Sequence, residues 1–111
     1  MPVQTPFSSL SSTSNAEQIK SAIVYLASNT ELAKTLIDLS VCESGLRPTV
    51  SIIDTNGKES AGLFQFQMST FYTFGRGDWR NPKDQIRTAL KMIKMGRGGV
   101  DWVNCWKIIH K

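Results

Sequence analysis

The chain has 111 residues, of which 41% are apolar and 20% are charged, a composition typical of one globular domain that excludes two independently folded domains. No stretch approaches the run of about 20 apolar residues that a membrane-spanning helix needs, so we expect no membrane insertion. Residues 1–46 carry two Lys against four acidic residues, whereas residues 76–111 carry nine Lys and Arg against three Asp, so the net charge of +4 lies towards the C-terminus. This asymmetry is compatible with an anionic partner, which on charge alone is nucleic acid, an acidic membrane surface or a cell wall, and equally with an ordinary solvated face.

The first fourteen residues are rich in Ser and Thr and include two prolines, which predicts a flexible tail over residues 1–14 and a folded domain over residues 15–111. The tail has neither a basic start nor an apolar run, so no secretory signal is visible in it. Ser14 and Glu17 match the Ser-x-x-Glu capping pattern, which predicts that the first helix starts at Ser14.

A second helix is predicted over residues 31–44, because Asn29 or Thr30 can cap its start and Gly45 can end it. The later elements are predicted in the same way from turn residues, β-branched runs and helical spacing. They are a hairpin from Thr49 with its turn at Asn56-Gly57, an extended stretch over 62–66, a helix over 69–74, a long helix from Pro82 to Gly96 and a short amphipathic segment around Trp102 to Trp106. The predicted fold class is therefore α+β, mainly α, with one short β-hairpin.

Glu43 is the one acidic residue on the apolar face of the second helix. At about 100° per residue, Glu43 lies within roughly 20° of Leu32 and Leu36 around the helix axis. A carboxyl group on that face is partly desolvated, which raises its pKa towards the range of a general acid at neutral pH. The alternative is that the last helical turn leaves Glu43 exposed or paired with Arg47.

Four sequence pieces occur in an order that resembles the lysozyme-like superfamily of lytic transglycosylases and muramidases. They are Cys42-Glu43-Ser44-Gly45, Ser60-Ala61-Gly62-Leu63-Phe64-Gln65, Thr70-Phe71 and Trp102-x-x-Cys105. The pattern is most similar to the transglycosylase-like domain of resuscitation-promoting factors, although Leu46-Arg47 and the longer hairpin depart from it. The resemblance implies a small lysozyme-like fold with the hairpin beside an active-site cleft.

The activity implied by the resemblance is cleavage of the β-1,4 bond between N-acetylmuramic acid and N-acetylglucosamine in peptidoglycan, with Glu43 as general acid and base. A transglycosylase needs no second carboxylate, whereas a hydrolase uses one, for which Asp54 is the candidate. The six-residue spacing from Asp54 to Ser60 resembles that of phage-type lysozymes, although an Asp that starts a turn also explains Asp54.

The resemblance also implies which residues surround the catalytic pair. Ser60 is expected to hydrogen-bond the Glu43 carboxylate, or else to be a turn serine. Gln65 alternates with Phe64 and Phe66 and is expected to present its amide to the cleft, where it binds an N-acetyl or hydroxyl group. The remaining predicted substrate-binding residues are Phe64, Thr70, Tyr72 and Trp102. Aromatic rings can stack on sugars, although Tyr72, Trp79 and Trp102 can equally be core residues.

Two cysteines and the single His110 are too few for a zinc site, so we expect no metal and no cofactor. The resemblance implies a disulfide between Cys42 and Cys105, and hence an extracytoplasmic location, secreted, periplasmic or associated with the cell wall. Two reduced thiols in a cytosolic protein are the alternative. We expect a monomer whose partner is the peptidoglycan glycan strand.

The predicted long helix carries a basic stripe made of Lys83, Arg87, Lys91 and Lys94. Such a stripe is compatible with a different class of protein, a non-catalytic basic helical module that binds cell-wall glycan or nucleic acid. No helix-turn-helix joint precedes the stripe, and nucleic-acid binding leaves Glu43 and the cysteines unexplained, so we expect no nucleic-acid partner.

Overall fold

Helices dominate the computed structural model, which describes residues 4–111. Within that range lie six helices and one three-stranded antiparallel sheet, so the predicted α+β, mainly α class is confirmed. The elements in chain order are α1 (Ala16–Ala27), α2 (Thr30–Ser44), β1 (Ser51–Ile53), β2 (Glu59–Ala61), β3 (Phe66–Gln67), α3 (Met68–Phe74), α4 (Pro82–Lys94), α5 (Gly98–Asp101) and α6 (Val103–Ile109). None of the helices in this part of the chain is long and apolar enough to cross a membrane.

The N-cap of the first helix is Asn15, one residue after the predicted cap, Ser14. Asn15 accepts a hydrogen bond from the backbone N–H of Gln18, and the Gln18 side chain accepts one from the backbone N–H of Asn15. This is the predicted capping box shifted by one position, because Asn and Gln serve in it as well as Ser and Glu. The Ser14 hydroxyl instead accepts a hydrogen bond from the backbone N–H of Ser11.

The predicted tail is partly packed onto the domain, contrary to expectation. Phe7 and Leu10 are buried in the core, and the guanidinium of Arg87 lies 4.8 Å from the centre of the Phe7 ring. Two large apolar side chains anchor this polar segment, an effect that composition averaged over fourteen residues conceals. The prediction for residues 1–3 lies outside the described residues.

The small sheet has the predicted hairpin between β1 and β2, with β3 on the other side of β2. Ser60 stands opposite Ile52 on one side and opposite Gln67 on the other. Directly paired residues of antiparallel strands point to the same face of a sheet, so these three side chains share one face. That face lines the candidate site described below.

Within the segment predicted as an extended stretch over 62–66, residues 62–65 instead form a turn that joins β2 to β3, and only Phe66 is in a strand. Gly62 has φ +83°, and a Cβ atom there would lie 2.3 Å from the buried amide of Gln85, so only Gly fits. Gln85 accepts a hydrogen bond from the backbone N–H of Phe64 and donates one to the carbonyl oxygen of Ala61. A side chain of α4 therefore determines the path of this turn, which local sequence pattern cannot show.

Candidate active site

The described residues form a cleft of about 440 Å³ between the β-sheet and the C-terminal helices. Six of the predicted site residues line it together, although they come from different parts of the chain. They are Glu43, Asp54, Ser60, Gln65, Thr70 and Trp102. The geometry therefore brings both predicted catalytic carboxyl groups to one cavity.

Glu43 lies in the last turn of α2, half-buried in the wall of the cleft. Burial, and secondarily the charge of Asp54, raises the pKa of the Glu43 carboxyl to about 7. Within residues 4–111 no hydrogen bond or ion pair reaches this carboxyl group, so nothing in that range offsets its desolvation. Arg47 does not pair with Glu43, because its Nε atom donates to the carbonyl oxygen of Ser44 at 3.0 Å.

The helix end that carries Glu43 is fixed to the turn behind it. The hydroxyl groups of Ser40 and Ser44 both donate to the carbonyl oxygen of Leu63, at 3.1 and 2.8 Å. Both serines are buried, and Gly45 ends the helix with φ +65° as predicted. These contacts hold the last turn of α2 in place, so Glu43 remains against the cleft wall.

Asp54 follows β1 and is placed in a different environment from Glu43. Its carboxylate accepts hydrogen bonds from the hydroxyl of Ser60 and from Nε2 of Gln67, the latter at 3.0 Å. These donors favour the ionised form and hold the pKa of Asp54 below its ordinary value. The expectation that Ser60 hydrogen-bonds Glu43 is wrong, because Ser60 in β2 donates its hydroxyl hydrogen to Asp54, which the hairpin places beside it directly after β1.

The structure therefore contains two carboxyl groups in one cleft whose pKa values are moved in opposite directions. At neutral pH a substantial fraction of Glu43 is protonated, while Asp54 is ionised. This combination supplies a proton donor and a negative charge to the same bound molecule. Two carboxyl groups in opposite protonation states are the pair that many glycosidases use.

Gln65 lies at the cleft, but not for the reason predicted from strand alternation. It occupies the turn with φ +50°, and its Nε2 atom donates to the carbonyl oxygens of Val50 and Gly62 at 3.0 and 2.9 Å. Its Oε1 atom is buried and has no hydrogen-bond partner among the described residues. Gln65 therefore lines the cleft, but its amide oxygen is not accessible to a ligand there, contrary to the expectation that the amide faces the cleft.

Two of the predicted substrate-binding residues lie elsewhere. Phe64 is fully buried and packs edge-on against the Trp102 ring at 6.2 Å, because the turn directs it into the core. Tyr72 is exposed on α3 and lines a separate groove rather than the cleft. Trp102 lines the cleft but is itself buried, and its Nε1 atom donates to the carbonyl oxygen of Phe64 at 2.9 Å.

Sequence reasoning missed three polar residues of the cleft. Gln67 hydrogen-bonds Asp54, and Asp101 and Asn104 line the wall that α5 and α6 form. Gln67 was detectable in principle, because it lies two residues after Gln65 and faces Ser60 across the sheet. Asp101 and Asn104 flank Trp102 and had no comparable signal. Asp101 forms an ion pair with Arg97 at 2.8 Å.

The expected disulfide joins Cys42 to Cys105, which confirms that pairing. It connects the residue before Glu43 to α6, whose residues Val103 and Asn104 line the cleft. The bridge therefore ties the helix end that carries Glu43 to α6, which supplies other residues of the cleft. Among residues 4–111, no group of three His, Cys, Asp or Glu side chains is arranged to hold a metal ion.

The basic stripe of α4 is partly engaged in contacts within the domain. Arg87 forms an ion pair with Asp84 at 3.1 Å, and the Lys91 ammonium donates to the carbonyl oxygen of Phe74 at 3.0 Å. These contacts stabilise the helix and its neighbours, so fewer free cations face outward than the sequence suggests. The stripe is therefore a weaker candidate for phosphate binding than its spacing indicates.

Comparison with known proteins gives no assignment, because no known protein family, no curated protein and no solved structure matches the chain.

Proposed function

We propose that this protein is a glycosidase that cleaves the β-1,4 bond between N-acetylmuramic acid and N-acetylglucosamine in peptidoglycan. One observation carries the proposal: Glu43 and Asp54 line the same cleft, and their pKa values are moved apart. A carboxyl group with a pKa of about 7 is partly protonated at neutral pH and can donate that proton to a bound substrate.

In the proposed reaction the protonated Glu43 donates its proton to the glycosidic oxygen, and positive charge develops at the sugar C1 atom. The ionised Asp54, held by Ser60 and Gln67, stabilises that charge or activates the attacking water. In the transglycosylase alternative, the Glu43 carboxylate instead removes the proton from the 6-hydroxyl of the muramic sugar, which closes an anhydro ring. Asp54 then has only an electrostatic role.

The choice of peptidoglycan rests on the sequence pieces that resemble lytic transglycosylases and muramidases, and on charge. The excess of basic residues in the C-terminal third suits an anionic cell wall. The disulfide is stable in oxidising compartments, which fits the proposed location of the working enzyme outside the cytoplasm.

The test compares the wild-type protein with Glu43→Gln on purified peptidoglycan. We expect the wild type to release soluble fragments and the variant to be slower by a factor of about 100 to 10,000, the usual contribution of a general acid. Mass spectrometry of the fragments then separates the two routes, because an anhydro product is lighter by one water. Wild-type activity in the Gln variant would disprove the assignment.

A further inference from the structure

The turn between β1 and β2 carries Asn56, an exposed residue that does not line the cleft. Its side chain is nevertheless hydrogen-bonded to a residue of the site. Asn56 Nδ2 donates to Oε1 of Gln67, and Asn56 Oδ1 accepts from Nε2 of Gln67, both at 3.2 Å. The same Nε2 atom donates to the Asp54 carboxylate at 3.0 Å. Asn56 is therefore connected to Asp54 through the amide group of Gln67.

The backbone of the hairpin fixes which end of the Asn56 amide is the acceptor. The backbone N–H of Lys58 donates to Asn56 Oδ1 at 3.0 Å, so the amide oxygen occupies that side and the NH₂ group the other. Gln67 then pairs with both ends of the Asn56 amide only when its own oxygen faces the Asn56 NH₂ group. This orientation turns the NH₂ group of Gln67, rather than its oxygen, towards Asp54.

The Gln67 side chain has no other hydrogen-bond partner to orient it. Gln67 precedes α3, but its side chain forms no capping hydrogen bond with that helix. Among residues 4–111, its amide is hydrogen-bonded only to Asn56 and Asp54. The direction in which the Gln67 amide points therefore depends on Asn56.

The two donors to Asp54 reach the same carboxylate oxygen. The Ser60 hydroxyl and Gln67 Nε2 both donate to Oδ2, and no hydrogen bond from residues 4–111 reaches Oδ1. Oδ1 is thus available to a molecule in the cleft, which Asp54 lines. A Gln67 amide turned the other way would place its oxygen against the carboxylate and repel it, because both groups are acceptors.

We propose that Asn56 is a positioning residue for Asp54, and that it acts by holding the Gln67 amide with its NH₂ group towards the carboxylate. The catalytic consequence rests on the proposed glycosidase function: Asp54 stays charged, with one oxygen held and the other available where positive charge develops on the sugar. Asn56 itself lies outside the cleft and acts on the reaction only through Gln67 and Asp54.

NMR titration of the Asp54 side-chain carboxyl tests the positioning in the wild type, Asn56→Ser, Gln67→Ala and the double variant. Asn56→Ser keeps an oxygen that can accept from the backbone N–H of Lys58, so the turn is retained, but it cannot pair with both ends of an amide. We expect each single variant to raise the Asp54 pKa towards its ordinary value, because the carboxylate loses a donor. In the Gln67→Ala background, Asn56→Ser should cause no further rise.

The kinetics separate positioning from substrate binding. Because Asn56 lies outside the cleft, Asn56→Ser should lower kcat on solubilised peptidoglycan strands by about threefold to tenfold and leave KM unchanged. Gly57→Ala is the matched control, because it strains the same turn, at φ +81°, without removing a side chain of the network. It should keep the wild-type kcat and Asp54 pKa. Glu43 and Asp101, the other acidic residues that line the cleft, are present in every variant, and circular dichroism shows whether each variant is folded.

An Asp54 pKa that Asn56→Ser leaves unaltered, or raises equally with and without Gln67, would overturn the inference, since Asn56 would then not act through Gln67. A raised KM with an unchanged kcat would assign Asn56 to binding instead of positioning. A wild type that does not cleave peptidoglycan would disprove the proposed function, and the Asp54 titration would still decide whether Asn56 positions the carboxylate.

Discussion

The fold places the Glu43 carboxyl group where ionisation is unfavourable. Its carboxyl group is half-buried, without a hydrogen-bond donor among the described residues, and close enough to Asp54 to feel its charge. Its ionised form is therefore less favourable in the folded protein than in the unfolded chain. The proposed activity and the stability of the domain make opposite demands on this side chain.

The pH dependence of stability tests this cost. The Glu43 pKa is raised from about 4.5 to about 7, so the folded state binds more protons than the unfolded state between these values, and stability falls as the pH rises through that window. The free energy of unfolding of Glu43→Gln, relative to that of the wild type, should therefore increase by up to about 3 kcal/mol between pH 4.5 and pH 7. Urea denaturation at pH 4, 6 and 8 measures the gain.

Glu31→Gln changes an exposed carboxylate of the same helix and is the matched control for that series. It should keep the pH dependence of the wild type. An unchanged difference in stability between Glu43→Gln and wild type from pH 4 to pH 8 would show that Glu43 is not desolvated.

For individual residues, the sequence predicted some positions at the site correctly and others wrongly, and each outcome has a physical reason. Glu43 was found because helical periodicity fixes the direction of a side chain on a helix. Ser60 and Phe64 were placed wrongly, because their partners depend on strand pairing and on a turn that local spacing does not encode. Gln65 was placed at the cleft by strand alternation, although it lies in a turn.

Among the elements, the turn from Gly62 to Gln65 is the one that unites the site. Ser40 and Ser44 of α2 are hydrogen-bonded to it, Gln85 of α4 fills the space beside Gly62, and Trp102 donates to the carbonyl oxygen of Phe64. The helices could be predicted from their caps and apolar stripes, because those signals are local. The turn could not, since the side chain of Gln85, 21 residues after Phe64, shapes it.

A matched pair of glycines tests the role of this turn. Gly57 and Gly62 have nearly equal φ values, +81° and +83°, but a Cβ atom meets nothing within 4 Å at Gly57 and would lie 2.3 Å from Gln85 at Gly62. Gly57→Ala should cost only the backbone strain of about 1 to 2 kcal/mol, and Gly62→Ala about 1 to 3 kcal/mol more. Thermal unfolding of both variants measures the difference.

Gly62→Ala should also lose activity, whereas Gly57→Ala should not. Gly62→Ala displaces Gln85, which holds the peptide group between Leu63 and Phe64. The carbonyl oxygen of that peptide group accepts the hydrogen bonds that fix the end of α2, so we expect the proposed cleavage to slow. Equal stability of the two variants would mean that Gln85 yields without cost and that the turn does not depend on it.

For the whole molecule, the Cys42–Cys105 disulfide closes a loop across most of the folded domain. The two cysteines are 63 residues apart in sequence, and the bridge joins α2 to α6. The sequence provided this pairing only through the resemblance, because composition alone also allows two reduced thiols. The domain is small, and cross-linking compensates for the limited core of a small protein.

Removal of the bridge should therefore be costly. The double variant Cys42→Ser, Cys105→Ser should lose about 4 kcal/mol of unfolding free energy, the value that loop-closure entropy gives for this separation. Urea denaturation of the oxidised wild type and of the variant measures the loss, and added reductant should affect only the wild type. A loss below about 1 kcal/mol would contradict the entropic account.

The protonation state of Glu43 is the point on which the proposed function depends, and carbon-detected NMR titration of its side-chain carboxyl measures that state directly. We predict a titration midpoint near pH 7 in the wild type, and a lower midpoint in Asp54→Asn, because the charge of Asp54 contributes to the raised pKa. A wild-type midpoint near 4.5, the ordinary value for a Glu carboxyl, would contradict the assignment of Glu43 as a proton donor at neutral pH.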